Sequence, residues 1–342
     1  MNEKRNNGLD LLKTICIVYI VLHHILLRIT DMRALSLNSF DLSYWFCLFI
    51  NSFLVVAVNC FFLISGYFRI KHNNIKMIRL IIEIYFIYFF INLIFFAFGE
   101  QEFSLSLIKD CAFPLSKFWF ILVYIVLDFI SPYINKMLET VSIKEKQKLI
   151  IFLAIVYCGY AFLTDNAIFG INRGYSIAFA IFIYIVGDYI RGVSTKQIGC
   201  VKPLCAYFAL CIINGVLAYL SAISRLGKTT WLLFSYNNPL VILASICLFL
   251  ALLNCGIRDN LFSMVGRYTL YIYVIHSTPI FIDHLINVID KVWIIKADTV
   301  LGLTVLIFVS IVTVFLCCIA GYFISLLSKA ILVKLKLKGS HL

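Results

Sequence analysis

A chain of 342 residues that is 63% hydrophobic and only 13% charged falls far below the roughly 25% charged residues of a soluble domain, which excludes water as its main solvent. A net charge of +12 would point to nucleic acid in a soluble protein, but here Lys and Arg sit in short loops between apolar runs, where membrane topology accounts for them and no nucleic-acid partner is implied. The twelve Cys are scattered, with no CxxC or Cys/His ligand spacing, and read as small core residues, not as a metal site.

Windows of about twenty residues predict an all-α, polytopic membrane bundle of about ten transmembrane helices, near 10–29, 45–68, 78–98, 118–134, 149–165, 175–190, 203–223, 238–254, 266–284 and 299–327. Lys4 and Arg5 precede the first apolar run, but no small-residue cleavage site follows it, so it counts as a span and not as a signal peptide. If the N-terminus is cytoplasmic, most of the 29 Lys and Arg lie inside. They fall at the N-terminal end, in segments 69–79, 136–148, 191–202 and 258–267, and in the tail, so the positive-inside rule puts both termini in the cytoplasm. The longest outward loops, 30–44 and 99–117, are too short for a core of their own. With no internal repeat and no Gly/Ser-rich or Pro-rich linker, one membrane domain over 1–342 is the simplest count.

Ionisable and polar residues inside spans are costly and so mark candidate sites. In the first span, Lys13 and His24 are eleven residues apart and fall within about 20° of one helix face, with Asp10 on the same side and His23 pointing elsewhere. That stripe carries an acid and a base near the cytoplasmic end and an imidazole about 16 Å further along. A packing histidine at an interface satisfies the same pattern. The second span ends with Ser65 and Gly66, small enough for a backbone or a ligand to approach closely. On the third, Arg79 and Glu83 are one turn apart, a spacing that permits an ion pair. Asp128 lies within the fourth span, with Trp119 near its outer end as a possible interfacial anchor. The ninth places Thr269, Tyr273 and His276 on one polar face.

These segments resemble acyltransferase family 3, membrane proteins that modify surface glycans and other acceptors with acyl groups. Leu9, Asp10, Lys13 and His24 match the family's opening of Leu-Asp, a basic residue and a histidine eleven residues later, which selects His24 over His23. Phe61-Phe62-Leu63-Ile64-Ser65-Gly66-Tyr67 is similar to its Phe-Phe-x-x-Ser-Gly-Tyr, Phe118-Trp119-Phe120-Ile121 to its Trp-Phe-Leu segment, and Gly266 through His276 to its Gly-x-x-Ser-Leu-x-x-Tyr-x-x-His pattern. Two departures stand out. Lys13 replaces the usual Arg, keeping the charge but losing the planar fork for phosphate, and Glu83 occupies a place where Pro is expected.

The resemblance implies an acyltransferase of the stand-alone type, without an extracellular hydrolase-like domain, in a bacterial plasma membrane. The donor is then acetyl-CoA or another acyl-CoA from the cytoplasm, the acceptor a hydroxyl of a cell-surface or lipid-linked glycan, and no metal is required. Asp10, Lys13, Arg69 and Arg79 are assigned to the donor side. His24 is the base or nucleophile, and His276, Tyr273 and Ser65 are its partners in orientation or oxyanion stabilisation. A ten-span transporter or flippase for a polar or glycan substrate is the main alternative, since buried ionisable residues also suit a substrate path; a non-catalytic scaffold is a third.

Overall fold

The computed structural model describes residues 6–29, 42–165, 170–224, 226–257, 262–292 and 300–334. Most of the expected loop 30–44 lies outside these residues, as do Lys4, Arg5, Arg258, Lys336 and Lys338. Helices joined by short loops make up the described residues, with no strand among them.

The helices, in chain order, are α1 (Asn7–Ile29), α2 (Leu42–Leu54), α3 (Ala57–Phe68), α4 (Asn74–Ala97), α5 (Leu105–Ala112), α6 (Trp119–Thr140), α7 (Ile143–Ala154), α8 (Ala161–Thr164), α9 (Ile177–Gly192), α10 (Val201–Ile223), α11 (Gly227–Leu232), α12 (Pro239–Leu253), α13 (Ser263–Ser277), α14 (Pro279–Val292) and α15 (Val300–Lys334). Every expected apolar segment is helical, but the count of ten spans is not reproduced. Among the described residues, seven helical segments are long and apolar enough to cross a membrane, with α2–α3 and α7–α8 each counted as one, or eight if the bent pair α13–α14 is one span. α9 and α12, with 16 and 15 residues, fall short of the roughly 20 residues that ~30 Å of hydrocarbon requires. The chain is a multi-pass membrane protein.

Two local features shape the core. α13 and α14 meet at an angle of 75°. The cause is Pro279, which disfavours helical geometry in the residue before it, and Thr278 is accordingly extended, with ψ 124°. In α6, Pro132 lacks the N–H that would bond to the carbonyl of Asp128; the hydroxyl of Ser131 donates to that carbonyl instead, at 2.7 Å.

α3 and α9 cross with their backbones in contact. A Cβ built on Gly66 would lie 2.0 Å from the carbonyl oxygen of Tyr184, and one on Gly187 would lie 2.3 Å from that of Leu63. Close packing explains Gly66, the small residue singled out in the sequence. Because a backbone carbonyl cannot turn aside as a side chain can, Gly187→Ala is expected to cost on the order of 3 kcal/mol through forced separation of the helices. A lowered thermal unfolding midpoint in lipid nanodiscs would register this, and an unchanged midpoint would contradict it.

Candidate functional site

α1 runs between two cavities. The first, about 560 Å3, opens near the start of α1 and is lined by Lys13, Ser65, Arg69, Lys71, Lys76, Asp128, Thr269 and Tyr273 among others. The second, about 390 Å3, lies at the opposite end and is lined by His23, Asn51, Asn172, Tyr175, Trp231 and Tyr236 among others. A small pocket of about 20 Å3 lined by both His23 and His24, hereafter the constriction, borders the two cavities. Its walls are shared: Ile20, Phe120 and Tyr273 also line the first cavity, and His23, Val55 and Tyr236 also line the second. Trp119 belongs to this aromatic collar, stacked 5.7 Å from Tyr236; its position at the start of α6 serves the constriction.

His24 meets His276, 252 residues away in sequence, with Nδ1 of His24 3.1 Å from Nε2 of His276. The bend after α13 sets His276 at the end of its helix, fully buried. Nδ1 of His276 lies 2.6 Å from the carbonyl oxygen of Ile272. A carbonyl only accepts, so in the neutral ring that nitrogen carries the proton and Nε2 of His276 holds a lone pair. The His24 contact then requires Nδ1–H of His24 as donor, which leaves the lone pair of its Nε2 uncommitted. No hydrogen bond to this Nε2 is formed among the described residues. Ser277 lies beside the pair, its hydroxyl 3.2 Å from Nε2 of His276.

Tyr273 faces His276 edge-on, with ring centroids 5.9 Å apart, and lines both the first cavity and the constriction. Ser65 lines the first cavity, but its hydroxyl donates to the carbonyl of Phe61 at 2.8 Å, so it offers only lone pairs to a ligand. Thr269 also lines that cavity, in keeping with the polar face expected of this helix.

The residues expected on the donor side separate into two groups. Lys13 lines the first cavity and is steadied by buried Asp10, at 3.2 Å. Arg69 lines it too, while bonding Asp188 at 2.6 Å and Glu139 at 2.9 Å. Lys146 takes the other oxygen of Asp188 at 2.7 Å. Arg79, by contrast, does not line the cavity. It donates to buried Glu83 at 2.8 Å and to Ser328 at 3.0 Å, while Glu83 also accepts from Tyr271 and from Ser328. Glu83 is thus the carboxylate that ties α4 to α13 and α15, and Arg79 is its counter-ion.

Lys71 and Lys76 had entered the sequence reading only as topology markers, yet both line the first cavity, and neither has an ion-pair partner among the described residues. Their signal in the sequence was the cluster 69–79 itself. The loop carrying them is strapped down: Ile70 donates its N–H to the hydroxyl of Tyr184 at 2.9 Å and accepts from Asn135 at 3.0 Å. Arg69 holds a left-handed backbone, φ 51°, a strained geometry sustained by this network of partners.

Asp128 lines the same cavity and accepts from His72 at 2.5 Å. Hydrogen bonds to Asp128 and then Asn74 raise His72 above the ordinary histidine value of 6.5. The charged pair is therefore complete below that value and is lost as pH rises through the raised one. While it persists, it masks the one carboxylate that would oppose an anion in this part of the cavity.

A family model described as an acyltransferase domain matches residues 6–322. No curated protein and no solved structure matches the chain.

Proposed function

Because the chain belongs to acyltransferase family 3 and is a membrane-spanning acyltransferase, we propose that it moves an acyl group, taken as acetyl, from cytoplasmic acyl-CoA to a hydroxyl of a cell-surface or lipid-linked glycan, across a bacterial plasma membrane. The observation that carries this reading is that His24, in contact with His276, lines a small pocket whose walls are shared with both larger cavities.

The donor enters the first cavity. Its phosphates meet Lys71 and Lys76 at the rim and Lys13 deeper in, with the charge of Arg69 already shared with two carboxylates. Asp10 positions Lys13, and Arg79 acts on the fold, not on the donor. The acyl end of the donor reaches past Ser65 toward Tyr273, where the cavity narrows. The acceptor hydroxyl arrives from the outer cavity.

Nε2 of His24 takes the hydroxyl proton as the oxygen attacks the thioester carbonyl. A C–O bond forms, the C–S bond breaks, and the proton passes from His24 to the departing sulfur. While His24 is charged, Nε2 of His276 keeps accepting from its Nδ1–H, holding the ring and stabilising the imidazolium. The hydroxyls of Tyr273 and Ser277 are the candidate donors to the oxyanion.

The test loads membrane vesicles, oriented with the cytoplasmic face inward, with acetyl-CoA labelled in the acetyl group, and assays alkali-labile label on external glycan. Label on the glycan in wild-type vesicles alone is the expected result. Vesicles that move unmodified glycan without acylating it would replace the enzyme with a transporter. Lys13→Ala is expected to raise the KM for acetyl-CoA about tenfold, the effect of losing one charge-assisted contact, with little change in kcat at saturation. An unchanged KM would make Lys13 a structural partner of Asp10.

A further inference from the structure

The outer cavity contains a buried polar atom that the fold does not satisfy. Asn51 is 1% exposed and lines that cavity, and its carbonyl oxygen lies 2.6 Å from Nδ1 of His23, while its amide nitrogen has no hydrogen-bond partner among the described residues. Turning the amide over exchanges donor and acceptor without supplying the missing partner. Buried amides are nearly always satisfied on both ends, so an orphan beside a cavity marks a place where something else binds.

The walls around it are aromatic. Trp231, Tyr175 and Tyr236 line the same space, and the rings of Tyr175 and Tyr236 are 4.8 Å apart. The loop bearing Asn172 and Arg173 closes another side; both residues have a left-handed backbone, and the carbonyl of Arg173 accepts from the N–H of Tyr236 at 3.1 Å. Arg173 itself is held by both oxygens of Asp165, at 2.7 Å each, so the cavity offers little free positive charge. An aromatic chamber whose walls also carry amides and hydroxyls selects a neutral ring with an apolar face and a hydroxylated rim.

We infer that Asn51, held in register by His23, is the hydroxyl anchor of a sugar-ring subsite in the outer cavity, one side chain from the catalytic histidine. His23 is a positioning residue here: it fixes the Asn51 amide, and it also lines the constriction. The inference rests on the acyl-transfer reading only in naming this sugar the acceptor; binding itself can be measured without turnover.

The test uses the full chain in lipid nanodiscs formed without glycoside detergents. Methyl glucoside, methyl galactoside and N-acetylglucosamine are titrated in, reading tryptophan fluorescence and the sugar-induced shift of the thermal unfolding midpoint. At least one sugar is expected to saturate both signals, and Asn51→Leu to weaken its apparent Kd about tenfold, as the loss of one hydrogen bond would. His23→Ala is expected to weaken the same sugar by a smaller factor, and His23→Gln, which retains a side-chain donor, to restore part of the loss. Should Asn51→Leu fail to fold, Trp231→Leu, on the half-buried wall of the same cavity, takes its place and must abolish the midpoint shift. No saturation by any of the three sugars, or Asn51→Leu binding as tightly as wild type, overturns the inference. Acetyl transfer from labelled acetyl-CoA is followed in parallel. A wild type that binds sugar through Asn51 but transfers no acetyl keeps this site and removes the acyl-transfer reading. A wild type that transfers acetyl while sugar binding ignores Asn51 does the opposite.

Discussion

His24→Ala is expected to lower acyl transfer by at least about a thousandfold, within the range that a positioned base contributes, while the protein remains inserted at wild-type levels. The geometry separates this residue from its neighbour. His24 is bound through Nδ1 to His276, which leaves Nε2 free to act, whereas Nδ1 of His23 is engaged with Asn51. His23→Ala should therefore affect acceptor use far more than chemistry, raising acceptor KM with kcat largely kept. The measurement is initial rate against acetyl-CoA and against acceptor for both variants, at matched protein in the membrane. Equal rates for wild type and His24→Ala would remove the base from the scheme, whatever the cavities look like. Because His24 is only partly buried and half of its hydrogen bonding is unused, its loss opens little void, and an effect caused by unfolding would show separately as lower membrane levels.

The polar stripe of α1 and the helices were readable in the sequence for a physical reason: both depend on local periodicity. Lys13 and His24 share a face because eleven residues are close to three helical turns, and the structure puts one in the first cavity and the other at its inner end. The Arg79–Glu83 pair was readable on the same ground, but its location was not, since spacing says who the partner is and nothing about which neighbour the pair faces. It packs against α15, through Ser328. Ten apolar windows were legible, but length and composition identify only seven or eight of them among the described residues as full spans, because some of the helices are shorter than a bilayer is thick. α9, for instance, is helical over 16 residues, from Ile177, which Ser176 caps, to Gly192. Asn51 carried no signal, since one Asn in an apolar span becomes notable only when its amide is seen to lack a partner. The family resemblance paired His24 with His276, but the geometry of their contact was not legible. Only the tertiary fold brings residues 252 apart into contact and fixes which of their nitrogens meet. The bend that presents His276 does have a local cause, Pro279, which the sequence displays.

His276 supplies the second large effect. Its Nδ1 is committed to the carbonyl of Ile272 and its Nε2 faces Nδ1 of His24, so its part is to fix which nitrogen of His24 carries the proton. Replacement by an apolar side chain removes that constraint. His24 is then free to hold its proton on Nε2, where it cannot act as a base, and the imidazolium formed during transfer loses its acceptor. His276→Leu is accordingly expected to reduce kcat about a hundredfold, the low end of what an acid–base arrangement contributes, with the KM for acetyl-CoA nearly unchanged because His276 does not line the first cavity, the one proposed for the donor. His276→Gln separates orientation from packing. The Gln side chain can set an amide oxygen near the position of Nε2 and accept from His24, so it should recover about tenfold of the loss. Since Leu and Gln fill similar volumes, a purely structural histidine would leave the two variants equally active, or favour Leu in a fully buried site. Gln exceeding Leu in kcat at equal thermal stability is what the tautomer chain from Ile272 through His276 to His24 requires.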